Sequence, residues 1–198
     1  PPKLAPIQVV IVPIFKTDAE KAQIDEFVNQ LTKELRVNDI SVKYDDRDTQ
    51  RPGFKFAEWE LKGVPVRVAV GARDMQNGTV ELARRDTQTK ETVAQEGLAG
   101  TIVQLLDTIQ ENIYQKALNF RTSHFTEVNS YDEFKEVLEG KGGFISCHWD
   151  GTTETEKRVK EETKATIRCI PLDAKEEEGV CIFTGKPSNR RVLFAKAY

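Results

Sequence analysis

The chain has 198 residues, 38% hydrophobic and 31% charged, with 29 Lys and Arg against 32 Asp and Glu and a net charge of −3. That length holds one large domain or two small ones, and the apolar share excludes a disordered chain. No run approaches the ~20 apolar residues of a membrane-spanning helix. The charge balance excludes wholesale coating of a polyanion but leaves room for a local nucleic-acid surface.

The opening "PPKLAPIQ" reads as a linker, without a charged leader and apolar core of the secretory kind, and suggests a fragment of something longer. "IQVVIVPI", residues 7–14, is a β-branched run expected of a buried strand. Thr17 or Asp18 can cap the next helix, whose Ile24, Phe27, Val28, Leu31 and Leu35 form an amphipathic stripe. "ISVKYD" predicts a second strand, and "RPGFKFAEWELKG" a turn followed by a helix to Gly63. "PVRVAVG" and "TVELARR" alternate as strands do, and Asn77-Gly78 between them predicts a hairpin turn. From Leu98 a long helix places Ile102, Leu105, Leu106, Ile109, Ile113 and Leu118 on one face. This order predicts an α/β domain over residues 1–120, a mixed sheet with helices on both faces, with about 1–6 as linker.

Residues 121–198 predict a small α+β domain. "SYDEFKEVLEGKGGFISCHW" reads as a short helix, a Gly-rich turn and a strand, and "TTETEKRVKEETKA" as a charged surface helix. "TIRCIPL", "GVCIF" and "RVLFAKAY" read as short strands, and "DAKEEEG" as a solvated acidic loop. Cys147, Cys169 and Cys181 are odd in number and widely spaced, which fits free thiols or metal ligands of a cytoplasmic protein better than disulfides.

No nucleophile–base set stands out. Neither His124 nor His148 sits in a hydrolase motif, and "GKGGF" precedes a strand and lacks the Lys-Ser/Thr ending of a phosphate loop. The densest chemistry lies between Asp45 and Glu91, where basic and acidic side chains are equal in number and Phe54, Phe56 and Trp59 are interleaved. One reading is a solvated helix whose aromatics pack on the sheet. The other is single-stranded nucleic-acid recognition, in which carboxylates accept from base N–H groups and Arg or Lys donate to guanine O6 and N7.

"LAPIQVVIVPI", "DDRDTQRPGFKFAEWELKGVPVRVAVGARD" and the terminal "RVLFAKAY" resemble, in order and over essentially the whole chain, the C-terminal part of prolyl-tRNA synthetases of the archaeal/eukaryotic-like type. The resemblance implies a class II anticodon-binding domain, a mixed five-stranded sheet flanked by helices, followed by the family's C-terminal, often zinc-binding, domain. It implies that Glu60, Arg67, Arg73, Asp74 and Lys90 read the two guanines of the proline anticodon. Glu60 and Asp74 would accept from N1–H and N2–H₂, while Arg67, Arg73 or Lys90 would donate to O6/N7 or phosphate. The implied parent is a cytoplasmic homodimeric proline–tRNA ligase, with ATP and magnesium used by a catalytic domain absent here, so the fragment alone should bind tRNA(Pro) and not aminoacylate. The family's C-terminal carboxylate, here that of Tyr198, is implied to reach toward that active site.

In zinc-binding relatives, two cysteines five residues apart pair with a second cysteine pair before a glycine. Cys147 and Cys181 match one member of each, but Thr152 and Thr184 stand at the partner positions, and Cys169 matches a cysteine outside the ligand set. His148 or Asp150 could raise the ligand number, though a strand residue next to Cys147 points to the opposite face. The expectation is a metal-free domain. Two rivals remain, a free-standing RNA-binding accessory protein and a small flavodoxin-like enzyme or sensor. Threonyl, histidyl and glycyl enzymes share the anticodon-binding fold but would not carry the trailing unit.

Overall fold

The computed structural model describes residues 1–197, so the proposed role of Tyr198 lies outside the described residues. The chain forms two compact units, Pro1–Lys116 and the segment from Ala117 onward. In the first, β1 (Val9–Ile14), α1 (Asp18–Val37), β2 (Val42–Tyr44), α2 (Pro52–Leu61), β3 (Val66–Gly71), α3 (Ala72–Asn77), β4 (Thr79–Arg84) and β5 (Lys90–Ala94) lead into α4 (Leu98–Ser123). The five-stranded sheet has the order β2-β1-β3-β4-β5. β1 is parallel to β2 and β3, while β3, β4 and β5 run antiparallel.

Strand alternation assigns the two faces. Val9 and Ile11 of β1, Val66, Val68 and Val70 of β3, and Val80 and Leu82 of β4 pack with the α1 stripe and with Ile102, Leu106 and Ile109 of α4. The other face carries a much smaller cluster, Val10, Val12, Trp59 and Val64, beneath α2. One face is thus a thick core and the other has a single ten-residue helix on it.

Local chemistry fixes the element ends. Thr17, not Asp18, is the cap of α1, in a reciprocal capping box with Glu20. Pro52 opens α2, where its missing N–H leaves no bond unmade. The expected hairpin turn at Asn77-Gly78 is instead the end of α3. The Asp74 carboxylate accepts from Gly71 N at 2.8 Å and starts a helix, and Gly78, at φ 63°, stops it in the left-handed region. The fifth strand, β5, has an almost wholly exposed sequence, "KETVA", and so shows no apolar alternation.

Apolar seating does not by itself hold α2. Asp45, just beyond β2 and 1% exposed, donates its N–H to Ile11 O at 2.9 Å. Its carboxylate accepts from Trp59 Nε1 at 2.7 Å and from Arg47 Nε and Nη2 at 2.8 and 2.7 Å. Lys55, 2% exposed, donates to the Asp45 main-chain oxygen at 3.0 Å and brings its ammonium to 3.8 Å from the carboxylate. Two side chains of α2 are therefore tied to one buried anion. The Arg47 hydrogen bonds, with those of Trp59 and the charge of Lys55, outweigh burial and hold the Asp45 carboxyl well below the usual carboxylate range.

The second unit contains β6 (Phe125–Glu127), α5 (Tyr131–Glu139), β7 (Phe144–His148), α6 (Thr153–Thr163), β8 (Ala165–Cys169), β9 (Gly179–Val180), β10 (Pro187–Ser188) and β11 (Arg191–Lys196). Its four-stranded sheet has the order β6-β7-β11-β8, and β9 pairs with β10. Phe134, Ile145, Cys147, Val159, Val192 and Phe194 centre the core. β6, three residues long, was not evident in the sequence pattern. The "GVCIF" strand is confined to Gly179–Val180, because Cys181 N turns to donate to Lys186 O and Gly185 N to Cys181 O. Gly143 of the Gly-rich turn has φ 90°, and a Cβ there would overlap the His124 carbonyl oxygen.

Replacing Asp45 with alanine leaves Lys55 and the Trp59 indole N–H without their buried partner. The unfolding free energy should fall by about 3–5 kcal/mol, measured as a lower urea midpoint. Because the folded pKa is depressed, the Asp45 contribution is complete above its unfolded value, about 3.8, and is lost as pH falls below it. A shallower loss of midpoint between pH 5 and 3 in Asp45→Asn than in the unaltered chain checks the sign.

Candidate nucleic-acid interface

The thinly covered sheet face carries a charged residue where a buried strand would ordinarily be apolar. Arg67 pairs in register with Val10 of β1 and Ala83 of β4, and alternation turns it away from the Val66, Val68 and Val70 core. Its guanidinium carbon lies 3.5 Å from the centre of the Phe56 ring, and Nη2 donates to Glu81 Oε1 at 3.0 Å. Arg67 is only 9% exposed, and its Nη1 is a buried nitrogen without a hydrogen-bond partner among the described residues.

Arg67 lines a cleft of about 190 Å³. Phe56, Trp59 and Glu60 of α2 form one side, and Arg84, Arg85, Gln88, Thr89 and Lys90 around the β4–β5 turn form the other. Register explains Lys90: it pairs with Ala83 and so shares the face of Arg67. Arg84 is occupied by Asp86, through Nε at 3.1 Å and Nη2 at 2.8 Å. Burial alone would raise the Asp86 carboxyl, but the Arg84 hydrogen bonds bring it below the ordinary range. Arg85 fastens the turn to the α2–β3 connection, donating from Nε to Glu60 O at 2.9 Å and from its main-chain N to Pro65 O at 3.0 Å. Glu60 and Lys90 remain exposed at the mouth. The cleft thus offers a carboxylate acceptor, an ammonium, a buried guanidinium with a spare N–H edge and an aromatic face, the set that reads a base edge.

Of the five residues expected from the sequence, Glu60, Arg67 and Lys90 come together here. Arg73 and Asp74 do not line the cleft. They sit in the first turn of α3, past the opposite end of β3, with Arg73 exposed and one Asp74 oxygen bonded to Gly71 N. Phe56 and Trp59 pack on the sheet, as one reading of the segment expects, while Phe54 is 55% exposed. The sequence did not single out Arg84, Arg85, Gln88 or Thr89. The cluster of polar residues in "RRDTQTKE" was the only signal for them.

Comparison with known proteins assigns the two units separately. Residues 8–105 match the family model described as "Anticodon binding domain", and residues 131–198 match "Prolyl-tRNA synthetase, C-terminal". Proteins named proline–tRNA ligase are similar over the whole chain, with 67% identity in Flavobacterium johnsoniae, 62% in Porphyromonas gingivalis and 52% in Amoebophilus asiaticus. The chain belongs to the prolyl-tRNA synthetase family. It spans about 40% of the length of each of these relatives, and it carries the family's anticodon-binding domain.

The C-terminal domain of this synthetase chain shows what became of the family's metal positions. Cys147 is buried, and burial, with Cys181 nearby, pushes its thiol up to about 12. Thr152 and Thr184 both turn to Asp150. Thr152 donates to Oδ1 from its main-chain N at 3.1 Å and its hydroxyl at 2.9 Å. Thr155 and Thr184 hydroxyls donate to Oδ2 at 2.9 and 3.0 Å. Four donors thus converge on one carboxylate. His148 faces away from Cys147, toward Ser188 Oγ at 3.2 Å and Glu177 Oε1 at 3.5 Å. This donor set does not fit structural zinc, and among the described residues no three His, Cys, Asp or Glu side chains group as metal ligands.

Asp150→Ala should release Thr152 and Thr184 together and destabilise the second unit by about 2 kcal/mol, read as a lower thermal midpoint. Adding equimolar zinc to the unaltered chain should leave its midpoint in place.

Proposed function

We propose that this chain reads the two guanines that end the proline anticodon, as the recognition part of a proline–tRNA ligase. The observation that carries the reading is that Arg67, a buried cation with Nη1 unpartnered among the described residues, lines one cleft with Glu60 and Lys90. A guanine edge needs both signs, because N1–H and N2–H₂ donate while O6 and N7 accept. Glu60 accepts from the first pair, and Arg67 and Lys90 donate to the second or to a flanking phosphate. Arg73 and Asp74 serve the other guanine. β3 separates the two stations, since Arg67 and Gly71 stand four strand residues apart, about 13 Å. That spacing suits two successive bases splayed out of their stack, as single-stranded RNA readers hold them. Asp74 keeps one carboxylate oxygen for such a contact, its partner oxygen being fixed by Gly71 N.

The whole enzyme, on this reading, activates proline with ATP and magnesium and transfers it to tRNA(Pro) as a cytoplasmic homodimer. That chemistry belongs to the part of the relatives' length that the present chain does not span. The chain by itself therefore binds the anticodon stem-loop and does not aminoacylate.

Glu60→Ala should weaken binding of a proline anticodon stem-loop by about 1–3 kcal/mol and relax the preference for guanine over adenine. Titration of a labelled stem-loop at one fixed salt concentration measures both. Equal affinity of the two proteins for every loop would remove Glu60 from the site.

A further inference from the structure

The β4–β5 turn holds one residue in an unusual backbone state. Gln88 has φ 56°, the left-handed region that residues with a Cβ other than Asn and Asp seldom adopt. Glycine would adopt this conformation freely, so the presence of glutamine there draws attention to its side chain. That side chain lines the cleft, and its Nε2 donates to Glu60 Oε1 at 3.3 Å. The turn is itself rigidly set. Arg84 N donates to Thr89 O at 2.9 Å, and Arg85 bonds to both Glu60 O and Pro65 O. Glu60 is consequently held twice from one turn, at its main chain by Arg85 and at its carboxylate by Gln88.

We infer that Gln88 is a positioning residue for guanine recognition, orienting the Glu60 carboxylate toward the base edge; the inference rests on the anticodon reading above. An exposed glutamate at the end of a helix has three rotatable side-chain bonds, and a bidentate contact with N1–H and N2–H₂ needs both oxygens in one plane with the base. A hydrogen bond from an amide restricts that rotation. Because the amide is neutral, it leaves the carboxylate charge undiminished, which a lysine or arginine at this position would not. The carboxylate has lone-pair capacity for about four hydrogen bonds, so the one from Gln88 leaves room for two more from guanine. The left-handed backbone is what aims a side chain from the turn back across the cleft mouth.

The test compares five proteins, the unaltered chain, Gln88→Ala, Gln88→Gly, Glu60→Ala and the Gln88→Ala/Glu60→Ala double variant, on a proline anticodon stem-loop. The same loop is used with inosine, which lacks the N2 amino group, at each guanine in turn. Loss of one exposed hydrogen bond from an amide to the carboxylate predicts about a three- to tenfold weaker Kd for Gln88→Ala. It also predicts that the guanine-to-inosine ratio falls toward that of Glu60→Ala, and that Gln88→Ala has no further effect when combined with Glu60→Ala. Gln88→Gly removes the amide but suits the backbone, so it should behave like Gln88→Ala. Normal binding by Gln88→Gly would trace the loss to backbone strain and overturn the inference. If Glu60→Ala loses discrimination while Gln88→Ala keeps it, Gln88 falls and the anticodon reading stands. If the unaltered chain fails to distinguish guanine from inosine, both fall.

Discussion

A buried carboxylate fixes the helix that walls the cleft. Asp45 ties the end of β2 to α2 through Trp59, Lys55 and Arg47. The apolar seat of α2 is a small cluster around Val10, Val12 and Val64, too little to fix a ten-residue helix in both rotation and height. Directional bonds to one anion supply what dispersion cannot, because a hydrogen bond that misses its geometry inside the fold leaves a buried polar group unsatisfied. The position of Phe56 and Glu60, on the same helix, follows from the positions of Lys55 and Trp59.

The sheet serves two purposes through its parity. On β3, Val66, Val68 and Val70 belong to the main core, and Arg67 between them belongs to the cleft. A central strand covered on both faces is ordinarily apolar on both. The exception is tolerable here because Phe56 covers the flat side of the guanidinium and Glu81 takes one of its nitrogens. What is left over is Nη1, which has no partner among the described residues.

The sequence carried much of this fold, and the parts it hid have physical reasons. The stripes of α1 and α4 and the apolar run of β1 were legible because burial imposes a period on the side chains. Asn77-Gly78 misled, since a left-handed glycine ends a helix as readily as it turns a hairpin, and the deciding bond, Asp74 to Gly71, is visible only in three dimensions. β5 and β6 were hidden because edge strands with exposed residues carry no alternation. Glu60 and Arg67 could be named as candidates because they lie in a long, specific motif, while Lys90 rested on the short stretch "TKET". Arg85 and Gln88 could not, since their role depends on a turn folding back against a helix end more than twenty residues earlier. The paired losses at Thr152 and Thr184 were plain in the sequence. Their convergence on Asp150, considered only as a ligand for metal, was not.

That convergence alters how the C-terminal domain comes into being. A thiolate site must wait for its ion and surrenders it to chelators or to oxidants that consume the sulfurs. Hydroxyl groups of Thr152, Thr155 and Thr184 closing on Asp150 are supplied by the chain itself as it folds. Closure at this point therefore rests on hydroxyls and one carboxylate, groups that neither a chelator nor a thiol oxidant removes.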